Sequence, residues 1–394
     1  MRILFVVNEL AYFRAHRENL ATGLMAQGHE VLVAAGKADD IALDNWPDAL
    51  KLIPLPVNLH HLDIPSDIRL IRTIARTIAD ERPDVVHGFT IKPVLFGGLA
   101  ISLLVPKSVR SNLRVVWTFP GVGKIFEHGA GVFHRFRRFL VATALKFAFG
   151  RTQASATFEN AADRSFFVEQ GIVPAENAHV TMGTGLDRST YRQQSDQRHE
   201  SFDGETPLVF LMSSRLIGEK GVDAYLTVAR ASKALGSNAV FQLAGLPAPG
   251  NPDALAESVL VEAQESGAIE YLGAIAQSEM PELLNQADVV VLPTRLREGF
   301  PRSLLEAAAC GCAMIASDQP PMRTLVVEGE TGWLIDPPDS AHLQDAFDQA
   351  LTDPNATRRK GKAAAELIQQ LPVGDDDVRN QFLAIYRGSQ NGPG

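Results

Sequence analysis

The sequence predicts an α/β protein with two domains, each built on a parallel β-sheet that helices cover. Short apolar runs alternate with longer helical patterns along most of the chain, as in strand–helix–strand units. The chain has 394 residues, which is enough for two hydrophobic cores. A polar stretch, Asp187–Thr206, interrupts the alternation and is typical of a linker. We therefore expect a first domain over residues 1–186 and a second domain that begins at residue 207.

The first half alternates between predicted strands and helices. Gly28 is a residue that ends helices, Ser66 is a good N-cap, and Pro83 stops the helix that Ser66 opens. The predicted strands are Arg2–Val7, Glu30–Ala35, Val85–His87, Arg114–Phe119 and Ala154–Thr157. The predicted helices are Arg14–Gln27, Ser66–Glu81, Pro93–Leu104 and Phe133–Phe149.

The second half repeats the alternation, and we expect its domain to span residues 207–371. The predicted strands are Leu208–Ser213, Val240–Ala244, Ile269–Leu272, Ala287–Pro293 and Ala313–Ala316. The predicted helices are Val222–Leu235, Ala254–Ser266, Ser303–Cys310, Ala341–Leu351 and Thr357–Gln369. Residues 372–394 form a separate terminal segment with a helix over Asp376–Tyr386.

Composition excludes several classes of protein. The net charge of −9 argues against a nucleic-acid partner. No apolar run is long enough to span a bilayer, and Met1–Val7 lacks the layout of a signal peptide, so we expect a cytoplasmic protein. Cys310 and Cys312 lie between a predicted helix and a strand without further ligand types near them in sequence, and they indicate buried thiols rather than a metal site.

The most informative stretch runs from Glu298 to Glu306, with the sequence EGFPRSLLE. It follows a predicted strand and opens a helix, the place where parallel α/β sheets bind phosphates and sugars. Pro301 suits the first helical turn. Carboxylates accept paired hydrogen bonds from vicinal hydroxyls, so two of them here indicate a nucleotide-sugar site. The alternative is that Arg302 and Glu306 form an ordinary i,i+4 pair and that Glu298 is a solvated loop residue.

Two cations near the start of the second half suit a diphosphate. Arg215 follows the first predicted strand of this half, and Lys220-Gly221 opens the next helix. Fixed cations stabilise the charge that develops on a departing diphosphate. Arginine supplies a planar fork and lysine a point charge. The alternative is a pair of surface cations beside a loop.

Taken together, these motifs resemble the family 4 retaining glycosyltransferases of GT-B fold, and the resemblance extends over nearly the whole chain. It implies two Rossmann-like domains facing each other across a cleft. The pair of cations and the absence of a convincing D-x-D loop between strands predict that no metal is needed, and no cofactor is expected. It assigns the nucleotide ribose to Glu306, the transferred sugar to Glu298, and the diphosphate to Arg215 and Lys220. It also implies donor-side roles for Gly299, Phe300, Pro301, Gly273, Ala274 and Gly185.

Within that family the first half resembles a branch that builds lipid-linked glycans. The resemblance implies acceptor-side roles for Arg17, Lys92, Thr118, Gly121 and Gly123. Pro120 stands where many relatives have histidine, so the acceptor-side catalytic group stays unassigned. The glycines at positions 121 and 123 do not form a dinucleotide fingerprint, because Phe126 occupies the third glycine position.

One segment, Phe133–Arg151, is basic although the protein is acidic. Phe133, Phe136, Leu140 and Phe147 share one helical face, and cations share another. One interpretation is a core-facing helix with a solvated basic side. The other is a helix held at an anionic membrane surface, which would make the protein peripheral on the inner face of the membrane.

The sequence therefore favours a retaining glycosyltransferase that uses a nucleotide-sugar donor, with uridine diphosphate expected from the branch. The acceptor is a carbohydrate, which this branch carries on a lipid during polysaccharide assembly. Two alternatives stay open. An epimerase of the same fold would need acid and base groups at the sugar ring. A non-catalytic protein would bind nucleotide-sugars without turnover.

Overall fold

The computed structural model describes residues 1–36, 46–56, 64–123, 125–126, 131–194, 206–248 and 250–388. The chain divides into two units. The first contains Met1–Gly185 and the chain from Gly374 onward, and the second contains Leu186–Val373. Of the linker expected over residues 187–206, residues 195–205 lie outside the described part, as do residues 389–394 of the terminal segment.

The first unit contains a sheet of seven strands within the described residues, in the order β3-β2-β1-β4-β5-β6-β7. Each neighbouring pair is parallel. The carboxyl ends of its strands therefore lie along one edge. The strands are β1 (Arg2–Val7), β2 (Glu30–Gly36), β3 (Lys51–Leu55), β4 (Val85–Phe89), β5 (Arg114–Phe119), β6 (Ser155–Phe158) and β7 (Ala178–Val180).

Helices cover both faces of this sheet, and each face has its own buried apolar cluster. Ser66 lies inside the helix that the sequence analysis expected it to cap, and its Oγ is 3.4 Å from the carbonyl oxygen of Pro56. The helices are α1 (Leu10–His16), α2 (Glu18–Ala26), α3 (Ile64–Glu81), α4 (Ile91–Leu103), α5 (Lys107–Arg110), α6 (Val132–Thr152) and α7 (Ala161–Glu169).

The glycines of α4 are required by packing. Trp117 of β5 is completely buried, and a Cβ atom on Gly97 would lie 2.9 Å from its ring. A Cβ atom on Gly98 would lie 2.6 Å from the Cβ of Ala148 on α6. These two glycines therefore let α4 lie close to both the sheet and α6.

The single helix predicted over Arg14–Gln27 is wrong, because Arg17 separates α1 from α2. Arg17 has a φ of −133° and is 1% exposed. Its guanidinium pairs with Glu159 at 2.9 Å and lies 4.8 Å from the centre of the Phe89 ring. A buried charge requires a partner, and leaving the helical conformation at this position lets the side chain reach one.

The second unit contains a sheet of six described strands in the order β10-β9-β8-β11-β12-β13, again all parallel. Its strands are β8 (Val209–Ser213), β9 (Val240–Ala244), β10 (Glu270–Gly273), β11 (Val289–Leu292), β12 (Ala313–Ser317) and β13 (Gly332–Ile335). Its helices are α8 (Val222–Ala234), α9 (Glu257–Glu265), α10 (Met280–Gln286), α11 (Arg302–Ala309), α12 (Ser340–Thr352) and α13 (Pro354–Gln370).

The last helix, α14 (Asp375–Arg387), belongs to the first unit and packs against α2 and β5. Tyr386 of α14 is 2.6 Å from Nδ1 of His87, and Nε2 of His87 is 2.6 Å from the hydroxyl of Thr118. Thr118 in turn lies 2.6 Å from Thr157, and all four side chains are buried. This hydrogen-bonded chain joins α14 to strands β4, β5 and β6. In the described ranges, no helix combines the length and apolarity needed to cross a membrane.

Candidate functional site

The loops that follow β8, β9, β10, β11 and β12 gather at the carboxyl edge of the second sheet, since these strands are parallel. A Cβ atom on Gly245, which follows β9, would lie 1.8 Å from the carbonyl oxygen of Ser214, which follows β8. The N–H of Gly245 donates to the carbonyl of Gly273 at 2.7 Å. Gly245, which the sequence analysis did not single out, therefore allows three adjacent loops to approach each other.

The turn that carries Lys220 is locked against the end of β11. Gly221 has a φ of +82°, and a Cβ atom there would lie 2.2 Å from the carbonyl oxygen of Pro293. The N–H of Arg295 donates to the carbonyl of Glu219 at 2.8 Å. Only glycine satisfies both the left-handed backbone and the close approach at position 221. These constraints on Gly221 therefore fix the backbone position from which the Lys220 side chain extends.

Lys220 and Glu298 contact each other directly. The Nζ atom of Lys220 lies 2.6 Å from Oε1 of Glu298, and the two side chains are 15% and 17% exposed. The hydroxyl of Thr294 donates to the same carboxylate oxygen at 3.0 Å. Glu298 is therefore held in place by two donors, and the interpretation as a solvated loop residue is wrong.

Gln319, which follows β12, braces the loop between Thr294 and Glu298. Its Nε2 donates to the carbonyls of Thr294 and Leu296 at 3.1 and 2.8 Å, and its Oε1 accepts from the N–H of Glu298 at 3.3 Å. Sequence reasoning missed Gln319 and Thr294. Their position just beyond the ends of adjacent strands is the signal that could have identified them.

Glu306 lies one turn inside α11, and its side chain is 8% exposed. The expected i,i+4 pair is present, because Nε of Arg302 is 2.6 Å from Oε1 of Glu306. Gln277 donates to the same oxygen at 3.3 Å and also contacts the hydroxyl of Tyr191. Burial and the nearby charge of Glu306 raise the pKa of Cys310 to about 12, so its thiol stays protonated at neutral pH.

The other donor-side residues fall into two groups. Gly299, Phe300 and Pro301 are buried, and Pro301 is the N-cap of α11 rather than a residue of its first turn. Gly273 is the last residue of β10 and has a φ of +68°, and Ala274, which follows the strand, is exposed.

Arg215 and Gly185 are the two remaining predicted donor-side residues. The side chain of Arg215 is exposed, and it forms no hydrogen bond or ion pair with the part of the chain that the structure describes. Gly185 lies in the first unit, where a Cβ atom would meet the carboxylate of Asp375 at 2.4 Å. Gly185 therefore lets the start of α14 pack closely.

The acceptor-side residues of the sequence analysis are spread over the first unit. Arg17 and Thr118 are buried and form hydrogen bonds with the side chains of Glu159 and His87, respectively. Lys92 lies 3.4 Å from Asp67. Gly121 has open space around its Cβ position, whereas Gly123 has a φ of +73°. Arg17 and Thr118 are thus almost completely buried, and their partners in these hydrogen bonds are other side chains of the first unit.

The amino-terminal half of α6 presents aromatic side chains to solvent. Phe133 is 88% exposed, Phe139 is 64% exposed and Phe136 is 58% exposed. Leu140 and Phe147 are also exposed, and the buried positions of α6 are Leu145, Ala148 and Phe149. The interpretation that the phenylalanine face points into the core is therefore wrong.

Two family models match the chain. The model described as glycosyl transferases group 1 matches residues 193–367. The model described as glycosyltransferase family 4 matches residues 15–158. Together they cover most of both units.

Two curated relatives illustrate the range of similarity. An N,N'-diacetylbacillosaminyl-diphospho-undecaprenol alpha-1,3-N-acetylgalactosaminyltransferase of Campylobacter jejuni is 30% identical over 178 residues, which are 45% of this chain and 44% of that protein. The chain thus matches about half the length of that relative. A GDP-mannose-dependent alpha-(1-6)-phosphatidylinositol monomannoside mannosyltransferase of Mycolicibacterium smegmatis is 25% identical over 301 residues, covering 73% of this chain and 74% of that protein.

Solved structures match over the whole length. HepE from Anabaena, solved in complex with UDP, superposes with a TM-score of 0.73 and 18% identity over 98% of this chain and 100% of that one. This likeness and the two parallel sheets confirm the predicted GT-B fold. With family models matched in both halves, the chain belongs to the family 4 glycosyltransferases, also described as glycosyl transferases group 1.

Proposed function

We propose that the protein is a retaining glycosyltransferase that moves a sugar from a nucleoside-diphosphate donor to a carbohydrate acceptor carried on a lipid. The observation that carries the proposal is the Lys220–Glu298 contact at 2.6 Å, with the buried Glu306 one turn inside the helix that follows. A cation and two carboxylates at the carboxyl edge of a parallel sheet match a ligand that joins a diphosphate to two sets of hydroxyls.

In this proposal Lys220 and the exposed Arg215 bind the diphosphate. Glu306 accepts hydrogen bonds from the ribose, and Glu298 accepts them from the transferred sugar. As the bond between the anomeric carbon and the phosphate oxygen breaks, negative charge grows on the diphosphate and the two cations stabilise it. The acceptor hydroxyl attacks from the same face, and its proton passes to the departing phosphate oxygen. The new carbon–oxygen bond therefore keeps the anomeric configuration.

The substrates for which the relatives are named support this choice. HepE was solved with UDP, whereas the mycolicibacterial relative is named for GDP-mannose. The Campylobacter relative is named for a sugar acceptor on diphospho-undecaprenol. We propose a UDP-sugar donor and a polyprenyl-diphosphate-linked sugar acceptor for this chain.

A transfer assay tests this proposal. Radiolabelled UDP-hexoses and UDP-N-acetylhexosamines are incubated with protein and a polyprenyl-diphosphate-linked N-acetylhexosamine, and label is counted in the organic phase. Lys220→Ala should lower transfer by about 100-fold or more, whereas Lys233→Ala, a lysine substitution on α8 of the same unit, should leave it unchanged. Conversion of the donor into an isomer without acceptor would instead support an epimerase. Donor binding without either reaction would support a non-catalytic binding protein.

We also propose that α6 holds the protein at an anionic membrane surface. Phe133, Phe136 and Phe139 are exposed, and Arg135 and Arg137 are exposed among them. Exposed phenylalanines interleaved with cations suit the boundary between lipid head groups and acyl chains. Residues 132–152 contain no acidic side chain, so nothing on α6 opposes attraction to anionic lipid. Binding to such a surface would place the protein at the membrane that carries a lipid-linked acceptor.

Liposome sedimentation tests the surface. Wild type should pellet with vesicles of phosphatidylglycerol and phosphatidylcholine, less so as salt rises, and poorly with phosphatidylcholine alone. Changing Arg135, Arg137 and Lys146 to Glu should abolish pelleting. The matched control changes Arg69, Arg72 and Arg76 to Glu. These are three exposed arginines on α3, a helix that also contains Asp67 and Asp80. Equal pelleting of the α6 variant and wild type, both folded, would refute the assignment.

A further inference from the structure

The segment that follows the domain junction is bound firmly to the second unit. The carboxylate of Asp187 accepts hydrogen bonds from the hydroxyls of Ser189 and Thr190, each at 2.6 Å, and from the N–H of Ser189 at 2.9 Å. Burial raises the pKa of Asp187, but these hydrogen bonds together outweigh that effect and lower the pKa, so the carboxylate is ionised at neutral pH. They fix a turn that ends at Tyr191, whose N–H donates to the carbonyl of Asp187 at 2.8 Å.

Further contacts hold both sides of this turn. Arg188 donates to the carbonyl of Leu371 at 2.6 Å. Asn285 of α10 donates to the carbonyl of Arg192 at 3.2 Å and accepts from the N–H of Gln194 at 2.9 Å. The segment is therefore attached at several points, and Tyr191 has little freedom to move away from the site.

The side chain of Tyr191 reaches Glu306. Tyr191 is 5% exposed, and its hydroxyl forms a hydrogen bond with the Glu306 carboxylate while it contacts the amide nitrogen of Gln277. Burial, followed by the charge of Glu306, raises the pKa of Tyr191, so its O–H stays protonated and donates to the carboxylate.

We infer that Tyr191 is a positioning residue of the donor site, which holds Glu306 in the orientation that accepts the ribose hydroxyls. A carboxylate has about four acceptor positions. Arg302, Gln277 and Tyr191 occupy three of them, which leaves room for a ribose hydroxyl. Because the three donors come from α11, the loop after β10 and the junction segment, the carboxylate is fixed from separate directions.

This inference rests on the proposed function, since it assumes that Glu306 binds the ribose. Tyr191→Phe keeps the ring and removes only the hydroxyl. Glu306 should then lose part of its orientation, and UDP should bind about tenfold more weakly, as for a lost hydrogen bond to a charged group. The value of kcat at saturating donor should stay near that of wild type, because ribose contacts are the same in the ground and transition states.

The test is a double-mutant cycle measured by isothermal titration with UDP, and with GDP in parallel. Wild type, Tyr191→Phe, Glu306→Ala and the double variant are compared. Tyr191→Phe should cost affinity in wild type but almost nothing once Glu306 is absent, because the two residues act as a unit. The control is Tyr225→Phe, which removes a buried hydroxyl 2.9 Å from the carbonyl oxygen of Phe210 in the same unit. It should lower Tm without changing affinity for UDP.

Two failures are distinguishable. If Tyr191→Phe binds UDP as wild type does while Glu306→Ala binds it weakly, the inference about Tyr191 is overturned and the donor site stands. The same conclusion follows if Tyr191→Phe costs equal affinity with and without Glu306. If Glu306→Ala binds both nucleotides as tightly as wild type, or wild type binds neither, the proposed donor site itself is wrong.

Discussion

The Glu298 side chain has two partners in the structure, Lys220 and Thr294, and replacing it with glutamine separates the effect of its charge from that of its hydrogen bonds. The glutamine keeps an oxygen that can accept from Lys220 and Thr294 but removes the negative charge. In the wild type, the Lys220 Nζ lies 2.6 Å from the carboxylate, and both side chains are mostly buried. Lys220 stays charged in the variant, so its bond to the amide oxygen is still a hydrogen bond to a charged group. The substitution removes only the attraction between opposite charges, and so loosens Lys220 by about 1 kcal/mol.

That change should be visible as tighter nucleotide binding. A diphosphate competes with Glu298 for Lys220, so a weaker hold on the lysine should strengthen UDP binding by up to about tenfold. Removing a negative charge beside the diphosphate acts in the same direction. Transfer should nevertheless slow by about 100-fold, because an amide does not replace the carboxylate at the sugar hydroxyls. Glu298→Gln should thus bind UDP more tightly than wild type and transfer the sugar more slowly.

Titration calorimetry with UDP gives the dissociation constant, and a steady-state assay of the same preparation gives the transfer rate. Glu282→Gln is the matched control, since Glu282 is an exposed carboxylate on α10 of the same unit. It should change neither quantity. The reasoning would be refuted if folded Glu298→Gln bound UDP about tenfold more weakly than wild type, or if it transferred sugar at the wild-type rate.

Three other perturbations give independent tests. Gly221→Ala should displace the Lys220 turn, because its Cβ atom would lie 2.2 Å from the Pro293 carbonyl oxygen; transfer falling less than about tenfold would contradict this role. Transfer should survive EDTA, since cationic side chains are proposed to neutralise the diphosphate; loss of activity that magnesium or manganese restores would contradict it. Burial, and then the charge of Arg17, lower the pKa of His87 well below 6.5. Just below pH 6.5 His87 therefore binds a proton in the unfolded chain but stays neutral in the folded protein. Stability should therefore fall as pH drops below about 6.5, by at most about 1.4 kcal/mol per pH unit, and urea unfolding of His87→Gln should show a shallower dependence.

Most of the second sheet could be predicted from the sequence. Its strands are buried apolar runs such as Val240–Ala244, and the intervening helices have clear periodicity and ends. The hydrophobic pattern did not predict β13 (Gly332–Ile335), because the position of this strand depends on close packing against β12. A Cβ atom on Gly332 would lie 1.9 Å from the carbonyl oxygen of Met314 on β12. A close approach between strands leaves little trace in local hydrophobic periodicity.

The candidate site was predictable in its residues but not in its contacts. The sequence motifs indicated Lys220, Glu298 and Glu306. The family resemblance gave separate roles to Lys220 and Glu298, which form an ion pair in the structure. Tyr191 lay in a stretch that the sequence described only as polar. Its approach to Glu306 depends on a turn held by Asp187 and on long-range contacts, which sequence periodicity does not encode.

The first unit illustrates how tertiary contacts override local pattern. Periodicity predicted an uninterrupted helix through Arg17, but pairing with Glu159, far away in sequence, breaks it there. The phenylalanines of α6 show the reverse case. An apolar stripe on a helix is ordinarily a core face, and here Phe133 is 88% exposed. The direction of such a stripe depends on which other face packs against the sheet.

The central claim is sugar transfer from a nucleoside diphosphate with retention, and proton NMR of the product tests it most directly. The protein is incubated with an α-linked UDP-sugar and a polyprenyl-diphosphate-linked sugar, and the anomeric proton of the new linkage is observed at early times. The account predicts an α-linked product that accumulates in step with UDP release and is lost in Lys220→Ala. A β-linked product, or UDP release equal in wild type and Lys220→Ala, would contradict it.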